Sequence, residues 1–286
     1  MDEAGAEIPR IIWMMWWQGF DNAPDLIKQC CSSWERHNRD WKVVLLDKEN
    51  LGEYLDMRNI VDINRRDISI QKMANLIRVN LLRKHGGVWV DATCFCCAPL
   101  DSWLGEYTMS GFFAFSGAGK GRLLSNWFLA SAKDGYLISK FCDEHNLFWN
   151  SACFSNQNTE RGRFYLKKLS KIIKRKPSRI RWWFSWPVLK VFKVYPYFIF
   201  HYHFAKIISE DALFRQTWSD TKKYSAEIPH KVLFSGLHQP LSQEIKQFID
   251  SRQSPLHKLT WKHKDNIYSK GCTLNYLLES MSASKA

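Results

Sequence analysis

Four polar residues within one short stretch have the types and spacing that a ligand site needs. Asn75 and Arg78 are three residues apart, so they share one face of a predicted helix. Asp91 and Thr93 follow residues 88–90, a short apolar run that is typical of a buried strand. In α/β folds, ligands bind at the C-terminal ends of the strands. The stretch therefore predicts the ligand-binding edge of a sheet, with Asp91 as its catalytic carboxylate.

Two elements must position these side chains. Ile70, Met73, Ile77 and Leu81 recur at the spacing of one helix face. The helix then collects three basic residues and ends at a glycine pair, as helix C-termini do. The apolar strand follows at once, so helix, turn and strand together are expected to fix the four polar residues.

The residues before this helix predict a βαβ unit. Residues 11–17 and 41–46 are apolar runs typical of strands, and Pro24 suits the first turn of a helix between them. The crossover in such a unit is right-handed, so the two strands should be parallel. We expect an α/β fold: a single domain with a mixed, mostly parallel central sheet that is flanked by helices.

Beyond Asp91 the signals are weaker. Residues 111–115 predict another strand, and residues 123–150 predict a mostly helical segment. Residues 227–230 are interpreted as a turn before a strand or loop at 232–234, and residues 241–251 as an amphipathic helix.

The net charge of +13 comes from one segment. Residues 161–209 contain 13 Lys or Arg and no Asp or Glu, and the rest of the chain carries 28 residues of each sign. We expect a domain over residues 8–262 with a basic, aromatic, helical insert at 161–209, and flexible termini at 1–7 and 280–286. Because the surplus positive charge is confined to one segment, nucleic acid is not the expected partner. A nucleic-acid-binding module remains the alternative, since aromatic residues among cations suit stacking on single strands.

The eight cysteines have neither zinc-site spacing nor the pattern of a disulfide framework. We expect them to be reduced, in a cytoplasmic protein. The acidic N-terminal residues lack the apolar run of a signal peptide. The longest charge-free apolar run, residues 194–205, is shorter than the roughly 20 residues that cross a bilayer, so no transmembrane helix is predicted.

Six blocks of the sequence carry a family resemblance: IPRIIWMMWWQG, SWERHNRDWKVVLLDKENL, LLRKHGGVWVDAT, FIFHYHF, IPHKVL and LHKLTWK. With these blocks, in this order, the chain resembles the capsular polysaccharide synthesis glycosyltransferase family over residues 8–262. That family is related to DXD-containing sugar transferases of the GT-A fold. The resemblance implies a GT-A-like fold and a hexosyltransferase-like, retaining enzyme. Such an enzyme moves a sugar from a nucleotide-sugar donor to a growing, lipid-linked surface glycan of the capsular or lipopolysaccharide type.

The resemblance also implies roles for residues. Trp16 lies where related enzymes stack an aromatic ring on the donor's base, and Arg78 lies where a helix side chain reaches the donor. Asp91 is the first aspartate of a shortened DXD motif. The full set of donor-binding residues that we expect is Trp16, Asn75, Arg78, Gly87, Asp91 and Thr93.

When a nucleoside diphosphate leaves, negative charge develops on its oxygens, and positive groups or hydrogen-bond donors beside those oxygens must stabilise it. A divalent cation, Mn²⁺ or Mg²⁺, is the usual solution, and Asp91 and His230 are its candidate ligands here. Direct contacts from Arg or Lys side chains, such as Lys258, are the alternative.

Two departures from the related pattern bear on that choice. A Ser-Asp pair on the helix is replaced by Ala74-Asn75, and the second aspartate of DXD is replaced by Thr93. Asn hydrogen-bonds a hydroxyl but brings no charge. Both changes weaken the prediction of a protein-held metal, and they leave a catalytically inactive, sugar-nucleotide-binding relative as an alternative.

The insert at 161–209 mixes its cations with many Trp, Tyr and Phe residues. Cations attract anionic headgroups, and Trp and Tyr anchor at the water–lipid boundary. We therefore expect a peripheral contact at the inner face of the plasma membrane, near a lipid-linked acceptor. The alternative is a basic surface helix followed by an aromatic core strand.

Overall fold

Strands and helices alternate along the first half of the chain, and helices dominate the second. The computed structural model describes residues 7–62, 64–119, 121–173, 176–262 and 271–282. The strands of these ranges are β1 (Ile11–Met15), β2 (Lys42–Leu46), β3 (Gly87–Asp91), β4 (Cys94–Cys96), β5 (Phe112–Gly119), β6 (Arg122–Ser131) and β7 (Leu256–Lys258). The α-helices are α1 (Asp25–His37), α2 (Leu51–Tyr54), α3 (Ile70–His85), α4 (Tyr136–Ser151), α5 (Glu160–Ile173), α6 (Ile199–Glu210), α7 (Ala212–Asp220), α8 (Glu227–Phe234), α9 (Gln243–Asp250) and α10 (Thr273–Ser282).

The central sheet has the strand order β2-β1-β3-β6-β5. β1 pairs in parallel with β2 and β3, whereas β6 is antiparallel to both of its neighbours. Four of the five strands thus run in one direction, which confirms the predicted mixed, mostly parallel sheet and the β1–α1–β2 unit. Met15 pairs with Asp91, so the C-terminal ends of β1 and β3 lie side by side.

Side chains of the sheet alternate between two cores, as the pleat requires. Trp13 and Trp89 face the core beneath α3, α4 and α6. Met14 and Val90 face the opposite core, beneath α1. The sheet is therefore covered on both faces, and a ligand site is expected at the C-terminal ends of its parallel strands.

The glycine pair between α3 and β3 is required by geometry. Gly86 and Gly87 have φ angles of 67° and 93°, in the region that favours glycine. A Cβ atom on Gly87 would lie 2.5 Å from the carbonyl oxygen of Ile11. The close approach lets β3 begin directly beside β1, and this places Asp91 next to the end of β1.

Residues 123–150 do not form the mostly helical segment that the sequence predicts. The first part is the strand β6, which pairs with both β3 and β5, and only the second part is the helix α4. The run from Leu124 to Ala130 is largely buried because both faces of this inner strand are covered. A run that is apolar on both faces loses the alternation by which a strand is recognised.

The predicted turn at 227–230 and the strand or loop at 232–234 are also wrong. Both belong to helix α8. Pro229 is the third residue of that helix, where its missing N–H has no intrahelical partner to lose.

The segment 161–209 is helical, as predicted. α5 is followed by a 3-10 helix at Pro177–Phe184, a π-helical turn at Pro187–Phe192, and then α6. α6 belongs to the main core through Ile199 and Phe204, so the aromatic core strand of the alternative interpretation is instead a core helix.

The folded chain continues beyond the predicted boundary at residue 262. Helix α10 packs its Leu274 and Leu277 into an apolar cluster with Ile245 and Phe248 of α9. Residues 280–282 are thus helical, not flexible as predicted; residues 283–286 and residues 1–6 lie outside the described ranges.

Two further expectations concern cysteines and membrane spans. All eight cysteines are free thiols, and seven of them are buried. Among the described residues, no helix has the length and apolar content to cross a bilayer.

Candidate active site

A cavity of about 720 Å³ opens at the C-terminal ends of β1 and β3. This volume lies within the range of small-molecule sites, roughly 300–1,000 Å³. The structure brings together, in the lining of this cavity, six of the residues that the sequence singles out: Trp16, Asn75, Arg78, Asp91, Thr93 and His230.

Gly87 is not part of this lining. It begins β3, whereas Asp91 ends it, and the two are separated by roughly 13 Å of strand at about 3.3 Å per residue. The structure therefore does not bring Gly87 together with the other predicted donor-binding residues. Gly87 acts through backbone conformation, because it allows β3 to approach Ile11.

Asp91 lies among three donors. The Trp89 indole N–H donates to its Oδ1 at 3.0 Å, Arg78 lies 3.3 Å from the same oxygen, and Lys258 Nζ lies 3.6 Å from Oδ2. Burial opposes ionisation of this carboxyl group, but the two neighbouring positive charges and the hydrogen bonds hold its pKa below the ordinary value. Asp91 is thus an ionised carboxylate that is already paired with cations.

Arg78 is fixed in place from several sides. Its Nε–H donates to the Ala74 carbonyl oxygen at 3.1 Å, and a terminal N–H donates to the carbonyl oxygen of Asn126. Its guanidinium also lies 4.9 Å from the centre of the Trp89 ring, in a cation–π contact. With only 4% of its surface exposed, Arg78 is a pre-oriented cation at the base of the cavity.

Lys258 reaches the site from the second, two-stranded sheet. β7 pairs with β4 so that Lys258 lies opposite Cys94, and the Leu259 N–H donates to the Thr93 carbonyl oxygen at 2.8 Å. Lys258 Nζ also donates to the Thr93 hydroxyl. Thr93, which replaces the second aspartate of the DXD motif, therefore accepts a hydrogen bond from Lys258 through its hydroxyl oxygen.

Asn75 and Asn126 face each other across the cavity wall. The Asn126 amide N–H donates to the Asn75 side-chain oxygen at 3.0 Å. This pairing leaves the Asn75 NH₂ group and the Asn126 oxygen to other partners, and such groups suit the hydroxyls of a sugar. Asn126 belongs to β6, not to the start of a helix as the sequence suggested.

Aromatic side chains form the mouth of the cavity. Trp16 follows β1, and its ring meets that of Trp261 edge to face, with centroids 5.5 Å apart. Trp261 is 42% exposed. Two indoles at the mouth offer a flat apolar surface to a ring-shaped ligand group.

The opposite end of the cavity is cationic. Lys72 is 6% exposed; it donates to the Tyr197 carbonyl oxygen, and its Nζ lies 4.4 Å from the centre of the Tyr197 ring. Burial, together with the Arg78 charge, lowers the pKa of Lys72 to about 8. Arg122 lies over the Phe198 ring at 4.4 Å, and the buried Ser125 hydroxyl nearby has no hydrogen-bond partner. This end therefore offers polar hydrogen atoms to a further ligand group.

His230 lines the cavity from α8. Its Nδ1 lies 2.6 Å from the Ala226 carbonyl oxygen, so Nδ1 carries the proton and Nε2 the lone pair. The ring stacks on Phe234 and meets Trp127 edge to face. Burial lowers the pKa of His230, so the imidazole is neutral near pH 7.

The surroundings of Asp91, which is a predicted metal ligand together with His230, are unfavourable for a divalent cation. Both oxygens of Asp91 face positive groups, from Arg78 and Lys258. Within the described ranges, no cluster of three or more His, Cys, Asp or Glu residues could hold an ion. A divalent cation at this carboxylate would be repelled by both cations, so these residues do not fit a protein-held metal.

Several cavity residues were not identified from the sequence. They are Lys72, Arg122, Ser125, Asn126, Tyr197 and Trp261. They come from four separate segments of the chain, and no local spacing connects them with Asp91. Lys258 was identified, through the block LHKLTWK, as a candidate for diphosphate binding.

Comparisons with known proteins match this chain to a protein family and to a curated relative. A family model described as "Capsular polysaccharide synthesis protein" matches residues 2–175 and 189–277. The O-glycosyltransferase braB of Annulohypoxylon truncatum is 26% identical over 160 residues, which are 49% of this chain and 38% of that protein. The chain thus matches well under half the length of this relative.

Two solved structures are also similar. The PaToxG glycosyltransferase covers 97% of this chain, and 87% of its own length is matched, with a TM-score of 0.39 and 12% identity. The UDP-bound glycosyltransferase domain of the YGT toxin covers 98% of this chain and 99% of its own, with a TM-score of 0.44 and 10% identity.

Proposed function

The chain belongs to the capsular polysaccharide synthesis family, and from that premise we propose that it is a glycosyltransferase with a nucleotide-sugar donor. The acceptor that we propose is a growing, lipid-linked surface glycan. The GT-A type of fold and retention of the anomeric configuration are part of this proposal, and they rest on the resemblance to DXD sugar transferases.

The charge of the cavity is the observation that carries the proposal. Its lining contains three cationic side chains, Lys72, Arg78 and Arg122, and one carboxylate, Asp91. Lys258 adds a further positive charge beside that carboxylate. A surplus of positive charge in a small cavity suits a compact anion such as a diphosphate. Single-stranded nucleic acid instead requires cations along an open groove, so we do not propose nucleic-acid binding.

The arrangement of side chains suggests how a donor would lie. The base would contact Trp16 and Trp261 at the mouth, where two indoles are available for stacking. The diphosphate would reach Arg78 and Lys258, and the sugar hydroxyls would bond to the amides of Asn75 and Asn126. The acceptor would enter from the end that Tyr197 and Phe198 line.

Transfer breaks the bond between the anomeric carbon and the diphosphate oxygen and forms a bond to an acceptor oxygen. The hydroxyl proton of the acceptor passes to the leaving diphosphate or to solvent. Negative charge grows on the leaving oxygen, and pre-oriented cations stabilise it without further reorganisation. In this proposal Arg78 and Lys258 supply the charge, while Asp91 holds both cations in position and accepts a hydrogen bond from the donor sugar.

The divalent cation expected from the resemblance has no protein-held site among these residues. We propose that Arg78 and Lys258 contact the diphosphate directly, and that Mn²⁺ or Mg²⁺ would bind only together with the phosphates of the donor.

The experiment is a thermal-shift and turnover screen of nucleotide sugars with the whole chain. A bound donor stabilises the native state and raises Tm, and slow release of nucleoside diphosphate and free sugar reports turnover. We expect one donor class to do both. Asp91→Asn should reduce turnover about 100-fold or more, as the loss of an active-site charge contact does.

The matched control is Asp25→Asn, because Asp25 is an exposed carboxylate in the first turn of α1. It should leave turnover unchanged. Full turnover in Asp91→Asn would disprove the assignment of the site. Binding of a donor without turnover by the unsubstituted chain would favour the catalytically inactive relative.

A further inference from the structure

The outer surface of residues 161–209 exposes apolar side chains that a water-facing surface usually avoids. Of the fourteen large, exposed apolar side chains in the described chain, six belong to this segment: Phe164, Ile172, Trp182, Trp186, Val191 and Tyr197. Trp186 and Tyr197 have 68% and 73% of their surface exposed. We propose that this surface, called here the docking surface, binds an anionic lipid bilayer.

Helix α5 shows the pattern on one element. Leu166, Leu169 and Ile173 point inward to a small core with Trp183. The opposite side carries Phe164 among lysines 167, 168 and 171, and Lys168 Nζ lies 5.5 Å from the Phe164 ring. A helix that is apolar on one side should be polar on the other. Here the outer side combines cations with an exposed aromatic ring, as in interfacial helices.

The docking surface continues from α5 into the 3-10 helix at Pro177–Phe184. The Arg179 guanidinium donates to the Ile172 carbonyl oxygen at 3.3 Å and lies 5.1 Å from the centre of the Trp182 ring. Ile172 and Trp182, which are 44% and 45% exposed, are therefore neighbours through Arg179. Apolar groups and cations alternate across one patch and are not confined to separate regions.

Charge selects the partner. The segment contains 13 Lys or Arg and no Asp or Glu, so the docking surface carries no acidic groups of its own to repel a negative partner. The cytoplasmic leaflet is anionic, and Trp and Tyr side chains favour the depth of its headgroups. A partner protein would need an acidic apolar groove to match the same pattern, whereas an anionic bilayer matches it without special shape.

One residue connects the docking surface with the active site. Tyr197 belongs to both, because it lines the cavity and is largely exposed. In addition, the family match stops at residue 175 and resumes at 189, so Trp182 and Trp186 lie in a stretch that the family model does not cover. The two tryptophans are thus a feature of this chain beyond the family model, and docking would bring the cavity to the depth at which a lipid-linked acceptor presents its glycan.

The experiment is sedimentation of the whole chain with vesicles at about 0.15 M salt, where long-range attraction is largely screened. One vesicle type is phosphatidylcholine alone, and the other contains equal parts of phosphatidylglycerol and phosphatidylcholine. We expect binding to the anionic vesicles and at least tenfold weaker binding to the neutral ones. No sedimentation with anionic vesicles would overturn the proposal.

Two variants separate the apolar and the charged contributions. Trp182→Ser with Trp186→Ser, and Lys167→Glu with Lys168→Glu and Lys171→Glu, should each weaken vesicle binding about tenfold or more. Their controls are Leu147→Ser with Leu213→Ser, which are 64% and 62% exposed elsewhere, and Lys28→Glu with Lys42→Glu and Lys133→Glu. An equal loss in the controls would contradict a defined surface.

Two more measurements keep this proposal apart from the proposed function. Donor hydrolysis should be unchanged in the docking-surface variants, because none of the substituted side chains lines the cavity. A single-stranded oligonucleotide should bind more weakly than anionic vesicles. Tighter oligonucleotide binding that the same variants abolish would overturn the proposal in favour of nucleic acid.

Discussion

The Arg78 guanidinium lies 3.3 Å from Oδ1 of Asp91, and the arginine side chain is only 5% exposed while the carboxylate is 30% exposed. The pair is therefore asymmetric: the cation is enclosed by protein and the anion faces the cavity. Removing either member would leave the other without its partner in a poorly solvated place. The arrangement explains why Asp91 remains ionised and why the cavity nevertheless has a positive character.

Arg78→Lys keeps the charge and removes the planar fork. A lysine cannot bond at once to Ala74, Asn126 and Asp91, so the ammonium group should shift out of position. We expect turnover to fall about 100-fold, with a smaller decrease in Tm. Arg83→Lys on the same helix, where the arginine is 38% exposed, is the matched control and should change turnover less than twofold. Equal kinetics of the two variants would contradict a role for Arg78 in the site.

Lys258→Met should weaken binding of the nucleoside diphosphate product by roughly 10- to 100-fold, the range of a lost hydrogen bond to a charged group. Lys258→Arg should recover most of the affinity because the positive charge is kept. Isothermal calorimetry measures both. Lys246→Met, which removes an exposed lysine paired with Asp250 on α9, is the control and should bind normally.

Chelation tests the same proposal from the other side. If Arg78 and Lys258 contact the diphosphate directly, EDTA should leave at least half of the turnover. Abolition of turnover by EDTA, with recovery on addition of Mn²⁺, would show that a metal is required despite the positive surroundings of Asp91.

Acid should destabilise the fold progressively from pH 6.5 down to about 3. Burial lowers the pKa of His145 and His201 to about 3 and that of His257 to about 4, from an ordinary value of 6.5. Burial also holds the pKa of His203 well below that value. Below pH 6.5 the unfolded chain binds these protons and the folded chain does not, so stability that is complete above pH 6.5 is lost as the pH falls. Each histidine should remove about 1 kcal/mol between pH 6.5 and 5.5.

The hydrogen bonds of the histidine pair show why the folded state resists protonation. The Trp149 indole donates to Nε2 of His145 at 3.1 Å, so His145 must donate from Nδ1 to Nδ1 of His203, also at 3.1 Å. A further proton on His145 would point at the indole N–H. The measurement is the free energy of unfolding in urea as a function of pH. His257→Met should reduce the slope of that free energy against pH by about a quarter, because it removes one of four such histidines. If the variant shows the same dependence of unfolding free energy on pH, protonation of His257 is not linked to unfolding.

Gly87→Ala should destabilise the protein severely, without any direct effect on a ligand. The new methyl group would lie 2.5 Å from the Ile11 carbonyl oxygen at a φ of 93°. We expect a loss of more than about 3 kcal/mol in the free energy of unfolding, since overlap adds to an unfavourable backbone conformation. Gly105→Ala, where a Cβ atom meets nothing within 4 Å, is the control and should be near neutral. Stable Gly87→Ala protein with weak donor binding would restore the original prediction for Gly87.

The sequence was most informative where local signals agree. The helical spacing of α3, its basic last turn and the glycine pair all indicate the same corner, and that corner positions Asn75, Arg78 and Asp91. β6 could not be recognised in this way, because its strand character arises from pairing with β3 and β5. A stretch such as Arg122–Ser131, in which six of ten residues are apolar, is equally compatible with a helix when its partners are unknown.

The same limit applies to the site. Lys258 meets Asp91 only because β7 pairs with β4, and Asn126 meets Asn75 only because β6 lies beside β3. These contacts join residues that are far apart in sequence, so neither periodicity nor spacing could reveal them. Spacing along α3 and β3 was enough to predict Asn75, Arg78 and Asp91, whereas the contacts that Lys258 and Asn126 make with them required the folded structure.

The bonds of Arg78 and Asn126 have a consequence for how specificity can change. Both residues connect α3 to β6 and also form the floor of the cavity, so a substitution there alters the scaffold together with the ligand contacts. Trp16 and Trp261 meet each other edge to face at the mouth and can be varied at less structural risk. A new donor preference should therefore be easiest to engineer at the mouth of the cavity, because the residues of its floor also maintain the fold.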